Sequence, residues 1–304
     1  MNILFAGDGN IDFQMTGLSA LPQVNREVLC SGFGAAIGGS TTICAAAYAL
    51  LGGGASFCGL LGDDENGRLM ERMLRGAGVG LELLRFTREH ATGVTVNLVH
   101  DSTRTQVTYP GTLSVVDETE TILRELGGFA HLHLSGVYPL ARFLPKIGSV
   151  LAEARAAGVS TSLDTQWDPR GRWSYLSSWL PNLSYLFVNE EESLSITKKA
   201  DVEAAYSELA SRTACPLITM GASGVYARGR RFPAFTVAVR DSTGAGDTFA
   251  AGFLFASMEK AMPFAEAVRF GCAAAALCCT FTGGVSAELR SERVIRLMSG
   301  GNPS

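Results

Sequence analysis

The sequence predicts an α/β protein with a doubly wound, mainly parallel sheet and helices on both faces. Short apolar runs typical of buried strands alternate with helix-length segments along most of the 304 residues, as in repeated βαβ units. Apolar residues make up 47% of the chain, enough for a sizeable core. Two stretches, about 12–37 and 93–110, interrupt the alternation with a period of two. We therefore expect one domain over 1–304 with a small inserted β-sheet.

The elements of the main sheet follow from local patterns. Strands are predicted where apolar and β-branched residues lie between turn residues, at Asn2–Ala6, Ala55–Leu60, His131–Ser135, Val159–Asp164, Tyr185–Asn189, Pro216–Met220 and Gly224–Ala227. Helical spacing of apolar residues predicts Thr41–Leu51, Glu65–Arg75, Ala141–Ala157 and Val202–Ser211. Ligands of such sheets bind beyond the carboxyl ends of the strands.

The inserted sheet and the last predicted unit have their own signals. In the inserted stretches apolar or β-branched residues alternate with polar ones, namely Val94, Val96, Leu98, Thr105, Val107 and Tyr109. Near the C-terminus, Thr236–Val239 is predicted to be a strand. A glycine turn follows it, and then a helix at Thr248–Met258 that is apolar on nearly every side and should be buried.

Charge and composition exclude several classes of protein. The net charge is −4 and no long run of Lys or Arg occurs, so nucleic acid is not an expected partner. No leader-length or membrane-length apolar run is found, and we expect a cytoplasmic protein that does not enter a membrane. The pair His131 and His133 lacks a third ligand, so packing is favoured over a zinc site.

The glycine turn carries the most specific chemistry. Gly244 and Gly246 allow a tight turn, and the N–H groups of the first helical turn, including that of Ala245, are left bare for an anion. Asp247 follows among these donors, where it could take the proton of an attacking hydroxyl. The alternative is an acidic residue whose only role is a favourable interaction with the helix dipole.

The longer pattern Asp-x-Thr-Gly-Ala-Gly-Asp at 241–247 resembles the C-terminal signature of the PfkB (ribokinase-like) family of carbohydrate and nucleoside kinases. Further segments match family motifs in family order: Gly7–Asp12, Gly38-Gly39, Asn189-x-x-Glu192 and Thr219-x-Gly221-x-x-Gly224. The resemblance covers almost the whole chain. It implies ATP and Mg²⁺ as cofactors, a lid formed by the inserted sheet and, as in some members, a homodimer through that lid.

The resemblance also implies residue roles. The acceptor would be bound by Asn10, Asp12, Gly38, Gly39 and Asp247. The nucleotide would be bound by Asn189, Glu192, Thr219, Gly221, Gly224, Gly246 and Gly271, with Glu192 also holding the Mg²⁺ shell. A monovalent cation, K⁺ in some relatives, would lie near Asp241, Thr243, Cys278, Phe281 and Gly283.

Two positions depart from the ribokinase pattern. Ile43 stands where relatives usually carry Asn, and Ser135 where ribose-specific relatives carry Glu, so ribose or fructose specificity does not transfer. The sequence favours phosphoryl transfer to a hydroxyl of a sugar or sugar acid, because Ser162–Thr165 and Trp167–Pro169 are similar to sugar kinases. An adenosine-like nucleoside kinase and a non-catalytic sugar-binding regulator remain as alternatives.

Overall fold

The computed structural model describes residues 1–100 and 103–301. The strands of the described part are β1 Asn2–Gly7, β2 Asn10–Thr16, β3 Gly32–Gly38, β4 Gly54–Gly62, β5 Gly80–Thr87, β6 Gly93–His100, β7 Thr103–Tyr109, β8 His131–Ser135, β9 Ser160–Asp164, β10 Tyr185–Asn189, β11 Pro216–Thr219, β12 Val225–Ala227 and β13 Arg230–Phe232. The helices are α1 Ser40–Leu50, α2 Glu65–Gly76, α3 Thr119–Glu125, α4 Ile147–Ala156, α5 Leu176–Trp179, α6 Glu190–Thr197, α7 Val202–Ala210, α8 Ala245–Leu254, α9 Phe264–Cys278 and α10 Ser291–Met298.

The main sheet confirms the predicted fold class. Its order is β13-β12-β11-β10-β9-β8-β1-β4-β5. From β11 to β5 neighbouring strands pair in parallel, and β12 and β13 add an antiparallel edge. The carboxyl ends of the parallel strands therefore lie along one edge, where ligands bind in open α/β sheets.

Alternate residues of β1 show how helices cover both faces of this sheet. Ile3 and Phe5 belong to one buried cluster with residues of α1, α8 and α9. Leu4 and Ala6 belong to a second cluster with residues of α3 and α4. Since side chains of a strand alternate between faces, the two clusters are the two cores of a doubly wound sheet.

The prediction of a strand at Thr236–Val239 is wrong. Residues 233–239 follow β13 without strand pairing, and Val239 is 66% exposed. The β-branched residues of this segment line a cavity and do not join a sheet. The helix after it is buried as predicted, but it begins earlier, at Ala245, and continues into a π-helical turn at Phe255–Glu259.

The inserted stretches form a separate sheet with the order β3-β2-β6-β7, which we call the lid. Strand β2 pairs antiparallel with β3 and parallel with β6, and β6 pairs antiparallel with β7. The predicted first stretch is a strand only at its two ends, with 17–31 as a connection. Residues 101 and 102 of the second stretch lie outside the described residues.

The two histidines of β8 bond to serine hydroxyls of the neighbouring strand. His131 and His133 are buried in β8, and their ring nitrogens bond the hydroxyls of Ser160 and Ser162 at 2.7 Å. Burial lowers the pKa of His133 to about 3, so this ring stays neutral.

No helix in the described ranges is long and apolar enough to cross a membrane.

Candidate active site

The predicted base Asp247 lies in the first turn of α8. Gly244, in the left-handed region at φ 71°, precedes the helix. The Asp247 side chain is buried, and its Oδ1 accepts hydrogen bonds from the Ser40 hydroxyl and from Gln166 Nε2, the latter at 3.3 Å. The pKa of Asp247 is raised to about 7, mainly by burial and also by the negative charge of Asp8, against the lowering effect of the Ser40 hydrogen bond. A carboxyl that titrates near neutrality is suited to proton transfer.

Three more carboxyls lie near Asp247. Asp8 follows β1, Asp164 ends β9 and Glu192 lies in the first turn of α6. Burial raises the pKa of all three, that of Asp8 to about 6 and that of Asp164 well above its usual range. The negative charges of Asp247 and Glu192 add to the effect at Asp164. Carboxyls that repel one another in a buried place favour a bound cation or a bound proton.

Asp8 binds the backbone directly after the glycine pair Gly38-Gly39. Its carboxylate accepts hydrogen bonds from the backbone N–H groups of Ser40 and Thr41, at 3.0 and 2.8 Å. Asp8 therefore stabilises the N-terminus of α1. These two N–H groups are therefore occupied by a protein carboxylate and do not present bare donors to a ligand oxygen.

A short chain of hydroxyls leads away from the base. Ser135 Oγ lies 2.8 Å from Ser40 Oγ, and Ser40 in turn contacts Asp247. Thr41 Oγ1 donates to the Ser135 carbonyl at 2.8 Å. Ser135, noted as a departure from the family pattern, thus lies one hydroxyl away from the candidate base.

The predicted acceptor ligands lie together where the lid joins the main sheet. Asn10 Nδ2 donates to Asp12 Oδ1 at 2.9 Å, and both side chains are buried. A side chain at Gly38 would collide with both groups, so glycine is required there. Gly39, with φ 85°, precedes α1 beside Asn10.

Ile43, the other departure, has a packing role. Its side chain is buried on α1. It lies against the turn before α8, with Cγ2 3.0 Å from the Cβ position of Gly244, and near Gly284. An apolar residue here supports the glycine turn and offers no hydrogen bond to an acceptor.

A cavity of about 400 Å³ opens beside the glycine turn. Four residues predicted to bind nucleotide line it: Thr219, Gly221, Gly224 and Gly246. Its other walls are mainly apolar. They come from residues 234–239, from Cys272, Ala275 and Ala276 of α9, and from Cys279 directly after α9. Ligand pockets of this kind are mostly apolar with few polar groups.

Gly271 lies behind this cavity, not in its wall. It packs against α8, where an added Cβ would lie 2.9 Å from the Phe249 ring and from the Phe249 carbonyl oxygen. The structure therefore gives Gly271 a helix-packing role, and its neighbour Cys272 reaches the cavity.

Asn189 and Glu192 form a capping box at the start of α6. Asn189 Oδ1 accepts from the Glu192 N–H at 2.8 Å, and Glu192 Oε2 accepts from the Asn189 N–H at 3.0 Å. Thr165 also donates to Oε2. The capping role and a ligand role are compatible, because Asn189 lines a second opening together with Thr219 and Gly221.

The residues predicted around a monovalent cation also come together. Asp241 accepts hydrogen bonds from the backbone N–H groups of Thr243 and Gly283 at 2.9 and 3.0 Å. The Cys278 thiol donates to the Thr243 carbonyl at 3.5 Å, and the Cys278 carbonyl accepts from Phe281 N–H at 3.0 Å. Protein donors thus already contact several oxygens predicted to bind the ion.

Comparison with known proteins identifies the family. Residues 2–290 match the family described as pfkB family carbohydrate kinase. The chain belongs to the PfkB family of carbohydrate kinases. The predicted enzyme class, a phosphotransferase with an alcohol group as acceptor, is thereby confirmed.

One relative is similar in sequence, and two solved structures share the fold. An ATP-dependent ribose-1-phosphate kinase of Halopiger xanaduensis is 30% identical over 88% of this chain and 90% of its own length. A putative ribokinase from Agrobacterium tumefaciens superposes with a TM-score of 0.85 at 23% identity, covering 98% of this chain and 97% of the other. An Arabidopsis thaliana ribokinase complexed with ribose and ATP gives 0.81 at 22% identity, with 98% of each chain covered.

Sequence reasoning assigned no role to four residues of this site. Asp8, Ser40, Asp164 and Gln166 come from three places in the chain and meet at Asp247 or beside it. Asp8 was within a matched motif, and its position directly after β1 was the one available signal. The others meet only because β1, β8 and β9 are adjacent in the sheet.

Proposed function

We propose that this PfkB kinase transfers the γ-phosphoryl group of ATP to a hydroxyl of a sugar or sugar acid, with Asp247 as general base. The observation that supports this most is the position of Asp247. It follows the glycine turn at the start of α8 and contacts Ser40, next to the glycine pair Gly38-Gly39 that packs against Asn10 and Asp12. Its pKa is raised to about 7. A carboxylate placed there can take the proton as the hydroxyl oxygen attacks.

The surrounding residues would position the base and stabilise charge. Ser40 and Gln166 both bond to one carboxylate oxygen of Asp247, and the other oxygen would take the acceptor proton. The expectation of a bare N–H at Ala245 is wrong, because this group donates to the Ser242 carbonyl at 3.2 Å. The Gly246 N–H lies in the first turn of α8, where no intrahelical acceptor exists. This donor and the helix dipole would stabilise negative charge on the transferring group.

ATP would occupy the 400 Å³ cavity, with its base against the apolar wall of α9 and its phosphates toward Gly246. Burial raises the pKa of Glu192 and Asp164, and a bound cation would offset this. No three acidic, His or Cys side chains in the described part of the chain converge to hold a metal ion, so Mg²⁺ would need phosphate oxygens and water as further ligands. Bound Mg²⁺ would neutralise phosphate charge, and Glu192 would hold its water shell. A K⁺ ion at this site would have to displace the Cys278 thiol, which contacts the Thr243 and Gly284 carbonyl oxygens.

The acceptor-binding role of Asp12 is tested by Asp12→Ala. We expect acceptor affinity to fall at least about tenfold, the loss of one charge-assisted hydrogen bond, and affinity for a non-hydrolysable ATP analogue to stay within a few-fold. Isothermal titration with each ligand measures both. Equal loss of the two affinities would make Asp12 a structural residue, and no phosphoryl transfer by the wild type to any sugar, sugar acid or nucleoside would contradict the proposed activity.

The outer face of the lid supports a homodimer. Side chains alternate along its strands, and Phe33, Val107 and Tyr109, which belong to one face, are 68%, 64% and 56% exposed. Phe13 stacks on Phe33 at 5.8 Å within this face. An apolar sheet face that is exposed in one chain fits the same face of a second copy.

The dimer is tested by light scattering coupled to size-exclusion chromatography. The wild type should have twice the mass of one chain, and Val107→Asp should have the mass of one chain because a charge in an apolar contact is costly. A wild type that stays monomeric at micromolar concentration would contradict this assembly.

A further inference from the structure

A smaller cavity, of about 150 Å³, shares no lining residue with the cavity beside the glycine turn. Its walls come from residues 171–180, from the second half of α6 and from the segment after α7, and we call it the α5–α6 cavity. Three of its lining side chains are basic, Arg172, Lys198 and Arg212, and none of the described lining residues is acidic. This excess of positive charge favours a bound anion.

Two of the three cations have no counter-ion in the protein. Arg212 lies 4.0 Å from Glu208, on the same side of α7. Arg172 and Lys198 are exposed at the rim, and neither forms an ion pair with a carboxylate of the described residues. A guanidinium and an ammonium group that converge in this way can share one anionic group, and the planar guanidinium fits a carboxylate with two hydrogen bonds.

The floor of the α5–α6 cavity is apolar. Trp173, Leu176 and Leu180 are 8%, 2% and 0% exposed, and Ile196 completes this floor. Since one water takes about 30 Å³, the cavity has room for a molecule of about five to eight non-hydrogen atoms. A nucleotide or a sugar phosphate is larger than this, and a phosphate ion has no apolar part to cover the floor. A small organic anion with a hydrocarbon body satisfies charge, floor and size together.

One connection from this cavity to the candidate base is the loop between β9 and α5. Gln166 of this loop donates to Asp247 Oδ1 at 3.3 Å. Two residues later, the buried Asp168 carboxylate accepts the backbone N–H groups of Arg172 and Trp173 at 2.9 and 2.7 Å. Trp173 has a φ of 52°, which a bulky residue adopts only where its surroundings hold it. A ligand packed on Trp173 would therefore stabilise the loop conformation in which Gln166 reaches the base.

A second connection is α6. Trp173 Nε1 donates to the Ser195 hydroxyl of this helix at 2.9 Å. Ile196, in the cavity wall, lies about one helical turn after Glu192, which is predicted to hold the Mg²⁺ shell. A molecule in the cavity thus contacts both the loop that bonds to Asp247 and the helix that carries Glu192. A ligand that binds this arrangement best shifts the protein toward it.

We propose that the α5–α6 cavity is a regulatory site for a short-chain carboxylate of about four to six carbon atoms, and that its occupation activates the kinase. The carboxylate group would contact Arg172 and Lys198, and the hydrocarbon part would cover Trp173 and Leu176. The ligand is neither the acceptor nor the nucleotide, so this site is additional to the proposed phosphoryl transfer.

Binding is tested by isothermal titration of the full chain with butyrate, isovalerate and 2-oxoisovalerate, without ATP or acceptor. At least one of them should bind with a Kd below about 1 mM, and more weakly as ionic strength rises. Isovaleramide has the shape of isovalerate without its charge, and inorganic phosphate has charge without a hydrocarbon part. Both should bind at least about tenfold more weakly than the best carboxylate. Because no reaction is needed, this test stands even if the proposed phosphoryl transfer fails.

Two variants locate the site. Arg172→Gln and Lys198→Asn each remove one cation from the rim, and asparagine tolerates the left-handed conformation of Lys198, φ 58°. Each should raise the Kd of the best carboxylate at least about tenfold with an unchanged melting temperature, since both side chains are exposed. Arg170→Gln makes the same change in the same loop, at an exposed arginine that does not line the cavity, and should leave this Kd as in the wild type.

Activation is measured as kcat/KM with an acceptor that the wild type phosphorylates. Saturating carboxylate should raise kcat/KM at least about fivefold in the wild type and in Arg170→Gln, and much less in Arg172→Gln. Phosphate binding as tight as carboxylate binding, no binding of any of the three carboxylates, or a Kd unaffected by Arg172→Gln and Lys198→Asn would overturn the site. Carboxylate binding that depends on Arg172 but leaves kcat/KM unchanged would overturn its coupling to the active site.

Discussion

At the scale of single residues, the site could be predicted where its chemistry is local. The Gly244–Asp247 turn and the Asn189-x-x-Glu192 box are each contained within four residues, so sequence alone located them. Asp164 and Gln166 could not be assigned in this way. Their contacts with Asp247 span about eighty residues of chain and depend on strand order that no local pattern encodes.

The carboxyl cluster predicts how stability depends on pH. The folded protein raises the pKa of Asp8 to about 6 and of Asp247 to about 7, above the ordinary value near 4. Between about pH 4 and pH 7 the folded state therefore binds more protons than the unfolded state. The stabilising contribution of these two groups to the unfolding free energy of the ligand-free protein should be complete below about pH 4. It should be lost as the pH rises to about 7.

Asp164→Asn makes this measurable at one residue. Asparagine keeps an oxygen for the Gln166 N–H and removes a buried charge, so the melting temperature at pH 8 should rise by about 2–4 °C, as expected for about 1 kcal/mol. At pH 5 the gain should be smaller. Glu153→Gln, at an exposed carboxylate, is the control and should change neither value. A loss of stability at pH 8 would mean that the Asp164 charge is well compensated.

At the scale of elements, burial patterns predicted helices and strands better than they predicted what each element contacts. Thr236–Val239 has the composition of a strand, yet its side chains line the cavity. The lid strands were recognised by their alternation, but the sequence does not reveal that their polar face is the buried one. That reversal requires a polar ligand or partner groups, which only the assembled site shows.

Gly271 allows a test of an element contact. Gly271→Ala should lower the unfolding free energy by about 1–3 kcal/mol, because the new methyl group would meet Phe249 across the α8–α9 contact. The KM for ATP should change little. Gly76→Ala, at an exposed helical glycine with open space around it, is the control and should be neutral or slightly stabilising. A raised KM for ATP at unchanged stability would restore Gly271 as a nucleotide contact.

The lid assignment predicts a change in dynamics. Asn10, Asp12 and Asp247 are all buried, so the lid must open to admit an acceptor and should close over it. Hydrogen exchange in 93–110 should slow when acceptor is saturating, because lids belong to the less stable parts of a fold. Exchange in α4 serves as the internal control. Equal exchange in 93–110 with and without acceptor would remove the lid function.

At the scale of the whole molecule, the alternation of strands and helices predicted the parallel sheet and the inserted lid sheet. The motif order predicted the family, which the match over residues 2–290 confirms. That 1–304 forms a single domain, and that two copies associate through their lids, remain predictions. Neither follows from one chain, because they depend on how stable its parts are and on what its exposed lid face contacts.

The most direct test of the whole account is the kcat of Asp247→Asn, measured beside its melting curve. A general base contributes about 10² to 10⁴ in rate, and asparagine can still accept the Ser40 hydrogen bond in the first turn of α8. We predict a kcat at least about a hundredfold below the wild type, with unchanged affinity for an ATP analogue and a melting temperature that is equal or higher. A near-normal kcat with a lower melting temperature would make Asp247 a structural residue and contradict the proposed mechanism.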